Sequence, residues 1–171
     1  MAIRKIRHEG DPVLKKRSKE VKEVTDRIRV LAEDMIDTMY ENLGVGLAAP
    51  QVGILKRVIV VDVDMEESDP HIFINPVITD QEGEQRGPEG CLSVPGVRGD
   101  ITRPFKIKVE YLDENGDERT MEAEDFFARA ICHEIDHLDG ILFVDREDFE
   151  ISYDDEEPDS EEEAMEEEAE L

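Results

Sequence analysis

His133-Glu134-Ile135-Asp136-His137-Leu138-Asp139-Gly140 is the stretch on which the reading of this chain turns. It holds two of the four histidines, four residues apart, with a glutamate between them. On an α-helix, positions i and i+4 share a face, so both imidazoles can reach one metal ion. Glu134 then stands where a general base for an activated water belongs. The pentad leaves the third metal ligand unnamed. Phe127, Ala130, Glu134 and His137 follow one face of the expected helix, with His133 close beside them. Two surface histidines on an amphipathic helix is the plainer alternative.

Working upstream, Asp125 is the expected cap of this helix, which runs from Phe126 to about Leu138 with Gly140 just beyond. Before it, Phe105, Ile107, Val109 and Tyr111 alternate with Lys106, Lys108 and Glu110, the period-2 pattern of a half-buried strand. Asn115-Gly116 is a strong hairpin turn, so Glu118–Glu124 should return antiparallel. Arg57–Asp62 reads as a buried strand. His71–Ile78 reads as another, with Pro76 marking an edge or irregularity. Val24, Ile28, Leu31, Met35 and Met39 recur at helical spacing. Thr25 is the expected N-cap of that helix and Gly44 its terminator. Asp11-Pro12 opens a short helical or turn segment, and Ile141–Val144 is expected to form a last short strand. The whole predicts an α+β fold, with antiparallel or mixed sheets packed around a central metal-binding helix.

Length and charge bound the rest. At 171 residues the chain suits one domain with a real core. The net charge is −26. Residues 150–171 hold 13 acids and no base, which leaves 33 acids and 20 bases in residues 1–149. We therefore expect a catalytic domain over residues 1–149 and an acidic tail over 150–171, disordered or a frayed helix. Such a charge excludes nucleic-acid binding by bulk electrostatics, although Arg4-Lys5-Ile6-Arg7 and Lys15-Lys16-Arg17 are local basic patches. No apolar run approaches a membrane span, and the first residues do not form a secretory signal. Two cysteines make no disulfide framework, and the reducing cytosol is the expected compartment.

Cys91 bears on the missing ligand, because a catalytic tetrahedral site needs three protein donors and one open position. It lies in Pro88-Glu89-Gly90-Cys91-Leu92-Ser93, a glycine-flanked loop where a thiolate could be held in the open. A free cysteine is more often a small buried core residue, and Cys132 fits that description better. No histidine follows His137 to complete the common zincin set. Gly44-Val45-Gly46-Leu47-Ala48-Ala49-Pro50-Gln51 is the other unusual stretch, its small residues suggesting close approach to the backbone.

These three segments together, in this order, resemble the peptide deformylases, and the compact length is similar to the bacterial type 1 enzymes. The resemblance extends from about residue 3 to about residue 148. It implies that Cys91, His133 and His137 bind one divalent metal, Fe2+ in the family, with Zn2+, Ni2+ or Co2+ able to take its place. It implies Glu134 as acid/base, with Gln51 and the backbone N–H of Leu92 meeting the oxyanion. The implied substrate is an N-formylmethionyl nascent peptide, which releases formate on hydrolysis. Its backbone would lie against Gly46 as an added strand. Val45, Phe126 and Ala130 are candidate walls for the methionine side chain. Arg98 would lie near the bound peptide, and Asp136 would pair with Arg103 behind the site. No membrane partner and no direct nucleic-acid role are implied. A transient ribosome contact is implied, but this tail has no Lys or Arg with which to dock on phosphate. The residue before His133, often Gln in the family, is Cys132 here.

Two rival readings remain at this level. A zincin-like endopeptidase would need a third ligand after His137 and no role for Cys91. A non-enzymatic metal-binding or interaction module would have a closed four-ligand site, with the tail as its working part.

Overall fold

The computed structural model describes residues 2–64 and 66–152. A short 3-10 helix, Pro12–Lys15, follows Asp11, whose carboxylate accepts from Val13 N–H. Helix α1 spans Asp26–Glu41 and helix α2 spans Asp125–Leu138. Strands β1 (Gly46–Ala48), β2 (Val58–Val61), β3 (His71–Glu82), β6 (Lys106–Leu112) and β7 (Glu118–Glu124) form one sheet in the order β1-β2-β3-β6-β7. Strands β4 (Gln85–Cys91), β5 (Val94–Arg103) and β8 (Glu150–Ile151) form a second. Every strand pair described is antiparallel.

Strand β2 shows why the large sheet is covered on both faces. Val58 and Val60 join Met35, Met39 and Leu31 in the core beneath α1. Ile59 and Val61 join Phe73, Val109, Ile131 and Leu138 in the core beneath α2. The period-2 alternation of a strand makes one apolar run serve both cores. A third cluster, with Leu14, Val94, Ile101, Leu142 and Phe143, lies under the small sheet. Helix α2 therefore lies against the large sheet and also touches β5, as the expected α+β architecture requires.

Several boundaries differ from the sequence reading. Helix α1 ends not through Gly44 but through Leu43, which takes the left-handed φ of 58° and is 93% exposed. Gly44 N–H then closes back on Met39 C=O at 3.0 Å. Asp125 does not cap α2 with its side chain; it stands at the helix start with φ 56°. Residues 141–144 do not form a strand. Phe143–Asp145 is a 3-10 turn in which the Asp145 carboxylate accepts from Leu142 N–H and pairs with Lys15. At Pro76, which has no N–H to give, the β3–β6 register shifts between Ile74 and Val77. Asn75 holds the break at φ 51° while its amide binds both Val21 N–H and C=O at 2.8 Å.

Glu150 and Ile151, where the tail was expected to begin, pair with Asp100 and Gly99 as β8. The remainder of the expected tail, from residue 153, lies outside the described residues. Among the described residues, no helix is long and apolar enough to cross a membrane.

Candidate active site

Helix α2 presents both histidines inward. His137 is 1% exposed and His133 8%, so they are not surface residues. Gly140, at φ 75°, ends the helix with no room for a side chain, since a Cβ there would stand 2.5 Å from Lys15 C=O. From the other sheet, the β4–β5 hairpin turns through Leu92 and Ser93 and places Cys91 at the end of β4. Cys91 Sγ lies 3.3 Å from His137 Nε2. One donor atom from each of Cys91, His133 and His137 lies within 4.8 Å of the others. Two segments some 40 residues apart thus meet in the arrangement that the pentad alone left incomplete.

Glu89 is the residue that sequence reasoning missed. Its carboxylate faces His133 Nδ1 at 2.8 Å and leaves Nε2 for the cluster. Arg103 forks onto the same carboxylate at 2.8 and 2.9 Å and reaches Asp136 at 2.6 Å. Arg129 joins Glu89 at 2.7 Å, and Arg146 grips Asp136 through two bonds of 2.7 Å. Burial alone would raise the Glu89 carboxyl, but hydrogen bonds from Arg103 and His133 outweigh it and hold the group well below the usual carboxylate range. The signal was present. Glu89 is two residues before Cys91, so on a strand both side chains fall on one face. An Asp or Glu behind a ligating imidazole fixes its tautomer and orientation. Glu89→Gln should therefore weaken metal binding by about 10- to 100-fold and lower Tm. Competition with a coloured chelator measures the affinity, and an unchanged affinity would show that His133 needs no such support.

Glu134 is 4% exposed, and its Oε2 is buried without a partner among the described residues. Burial is the main cause that pushes its carboxyl up to about 7. Its Oε1 lies 3.9 Å from His133 Nε2, on the side of the cluster. Gln51, 1% exposed, is held by Ala48 N–H donating to its Oε1 at 2.9 Å. Its Nε2 donates to Ser93 Oγ at 3.0 Å and faces Cys91 Sγ at 3.5 Å.

These groups border a cleft of about 760 Å³. Val45, Gly46, Leu92, Arg98, Phe126 and Ala130 all contribute to its walls. Phe127, expected on the same helix face, points instead into the core against His71 and Phe73. The cleft stripe of α2 is Phe126, Arg129, Ala130, His133 and Glu134. Gly46 belongs to β1, whose described pairing is to β2 on one side, leaving its other edge beside the cleft. Cys132 stays in the core. Asp136 and Arg103 lie behind the histidines, as the ion pair above places them.

The donor set fits a divalent cation. A tetrahedral ion with one thiolate and two imidazoles has donor–donor edges of roughly 3.3–3.6 Å, close to the Cys91–His137 separation. Among the described residues His137 Nδ1 is buried without a hydrogen-bond partner, unlike His133 Nδ1, which faces Glu89. Burial by itself would lower the His133 imidazole, yet Cys91 and Glu89 raise it to about 10. Burial, and then His133, push His137 the other way, toward the neutral form that ligation needs.

Comparison with known proteins identifies the relatives of the chain. The sequence profile of the polypeptide deformylases matches residues 3–151. A peptide deformylase of Caldanaerobacter subterraneus is 57% identical over 146 residues, covering 85% of this chain and 90% of that protein. Peptide deformylase 1 of Clostridium perfringens is 55% identical, covering 86% and 99%. The crystal structure of the Thermotoga maritima peptide deformylase superposes with a TM-score of 0.82 at 43% identity, covering 85% of this chain and 98% of that one. That of the Synechococcus elongatus enzyme, in complex with actinonin, gives 0.79 at 45% identity, covering 82% and 76%. The chain belongs to the polypeptide deformylase family: it is a hydrolase that removes the formyl group from the amino terminus of nascent peptides.

Proposed function

We propose that Cys91, His133 and His137 hold the single catalytic cation and that Glu134 carries the proton of the reaction. When bound, a divalent cation makes water acidic enough to act as hydroxide near neutral pH and polarises the carbonyl it faces. Glu134 accepts the proton of the attacking water and returns it to the leaving amide nitrogen. Gln51 Nε2 and the Leu92 N–H donate to the oxyanion as the carbonyl becomes tetrahedral; one such donor is typically worth ~3–4 kcal/mol. The observation that carries this reading is the convergence of Cys91 on the two histidines with Glu134 beside them.

The substrate we assign is an N-formylmethionyl peptide. Its backbone adds to the free edge of β1 at Gly46, which gives affinity without reading every side chain. Val45, Phe126 and Ala130 wall the methionine pocket, and Arg98 stands beside the outgoing peptide. A formyl carbon bears only hydrogen, so a narrow pocket around it rejects acetyl by steric exclusion. We assign Fe2+ as the working metal, although affinity alone favours Zn2+ in such a set. A substrate made by translation places the work in the cytoplasm, and the phosphate-repelling tail argues against ribosome docking through that segment. The test is formate release from formyl-Met-Ala-Ser by anaerobically purified protein, with metal analysis of the same sample. Cleavage of unformylated peptides without formate release would support an endopeptidase instead.

Gly46 supplies a sharper check. A Cβ on this residue would lie 2.7 Å from Glu134 Oε1 and 2.9 Å from its Cγ. Gly46→Ala must push the Glu134 side chain aside. Misplacing a reacting group by about 1 Å costs on the order of 100-fold, so kcat/KM should fall by about that factor with metal content intact. A loss below about three-fold would show that Glu134 tolerates displacement.

A further inference from the structure

A second cleft, about 710 Å³, opens between residues 19–28, the body of α1, and Ile54 and Lys56. Its apolar surface comes from Val21 and Leu31, which are buried, and Ile28 and Ile54, which are half-buried. Lys19, Lys22, Arg27 and Lys56 stand exposed around it. Arg4 also lines it but is taken by Asp34 at 2.9 Å. Among the described residues, none of the other four cations is in an ion pair. Only Glu20 and Glu23 oppose them in the lining. In a protein of net charge −26 this is a local concentration of positive charge around an apolar floor.

One segment of the same chain has the complementary chemistry. Residues 153–171 contain 12 acids, no base, and the apolar side chains of Met165 and Leu171. They follow Ser152, whose N–H is bound to Arg98 C=O at 3.1 Å at the end of β8. Nineteen residues reach up to ~60 Å when extended, more than the ~40 Å diameter of a domain of this size.

We propose that residues 153–171 dock on this second cleft within the same molecule. Their carboxylates pair with Lys19, Lys22, Arg27 and Lys56, and Met165 or Leu171 covers the apolar floor. Each exposed pair is weak alone. The contact is sustained by the number of pairs and by tethering, which holds the segment at an effective concentration of about millimolar. Four of the segment's twelve negative charges can thereby be offset by cations of the same chain.

The test uses the full-length protein and a zero-length carbodiimide, which joins a lysine amine to a carboxylate only in contact. At low salt, peptide mapping should find Lys19, Lys22 or Lys56 coupled to carboxylates of residues 154–170, about five-fold above Lys106 and Lys108, and the coupling should vanish near 1 M salt. The triple variant Lys19→Glu, Lys22→Glu, Lys56→Glu should expose the segment to a Glu-specific protease, with cleavage about five-fold faster at low salt. Coupling spread evenly over all lysines overturns the proposal, as does unchanged cleavage in the triple variant. Coupling found only in covalent dimers assigns the cleft to a second copy and overturns docking within one chain.

Discussion

Glu134→Gln should keep the metal and lose turnover by about 10³- to 10⁴-fold, or ~4–5.5 kcal/mol of transition-state stabilisation. Glutamine has the shape of glutamate, and among the described residues Glu134 accepts no hydrogen bond at Oε2 that the amide would break. It is not among the three donors that converge on the cation site, so occupancy should hold. The amide cannot take the proton of water, and no other described carboxylate is placed to do so. Glu89 is the nearest alternative, but Arg103, Arg129 and His133 occupy it. The buried carboxyl, pushed up to about 7 without metal, would be drawn down again by a neighbouring cation, which leaves the base form available at neutral pH. Formate release beside metal analysis of the same preparation decides the matter. Turnover within ten-fold of the parent protein would remove Glu134 from proton transfer.

What the sequence makes legible here depends on how local each pattern is. β2 is read from a run of apolar residues and α1 from their helical spacing, because each pattern lies within one element. The β6–β7 hairpin is read from Asn115-Gly116, and the return strand Glu118–Glu124 falls where expected. The β4–β5 hairpin is not legible in this way. Gly87, Pro88, Gly90, Pro95, Gly96 and Gly99 interrupt its alternation, and its two faces serve the cleft and a small core rather than a large one. The site shows the same division. The spacing of His133 and His137 is a local helical fact. That Cys91 reaches them rested on resemblance at the sequence level, because it depends on how two sheets meet across α2. Glu89 is marked only by its two-residue spacing from Cys91, and Arg129 is less legible still, since its buried charge announces itself only by its partners. Leu43 illustrates a converse failure. Glycine was the expected helix terminator, yet the exposed leucine accepts the left-handed turn, leaving Gly44 close to Leu92, where a Cβ would stand 2.8 Å from Leu92 Cδ1.

Cys91→Ala should release the metal and abolish turnover together, and the chain contains its own control in Cys132→Ala. Cys91 supplies one of three protein donors. If an apparent binding energy of ~10–16 kcal/mol is shared among a site's ligands, losing one removes ~3–5 kcal/mol, or roughly 10²- to 10⁴-fold in affinity. The variant should then emerge from dialysis against a weak chelator without metal, while the parent retains about one ion per chain. Cys132 is one residue before His133, yet it lies in the core between α2 and the large sheet. Burial pushes its thiol up to about 11, so it remains protonated and no ligand at neutral pH. Cys132→Ala should cost a modest amount of stability and leave occupancy at about one. A fall in Tm of the Cys91 variant that excess metal does not restore would be expected from lost ligation, because the remaining histidines cannot hold the ion that ties β4 to α2. Full stoichiometric metal in Cys91→Ala would overturn its role as ligand and revive the search for a donor after His137. Metal loss in Cys132→Ala at unchanged Tm would mean that the wrong cysteine had been assigned.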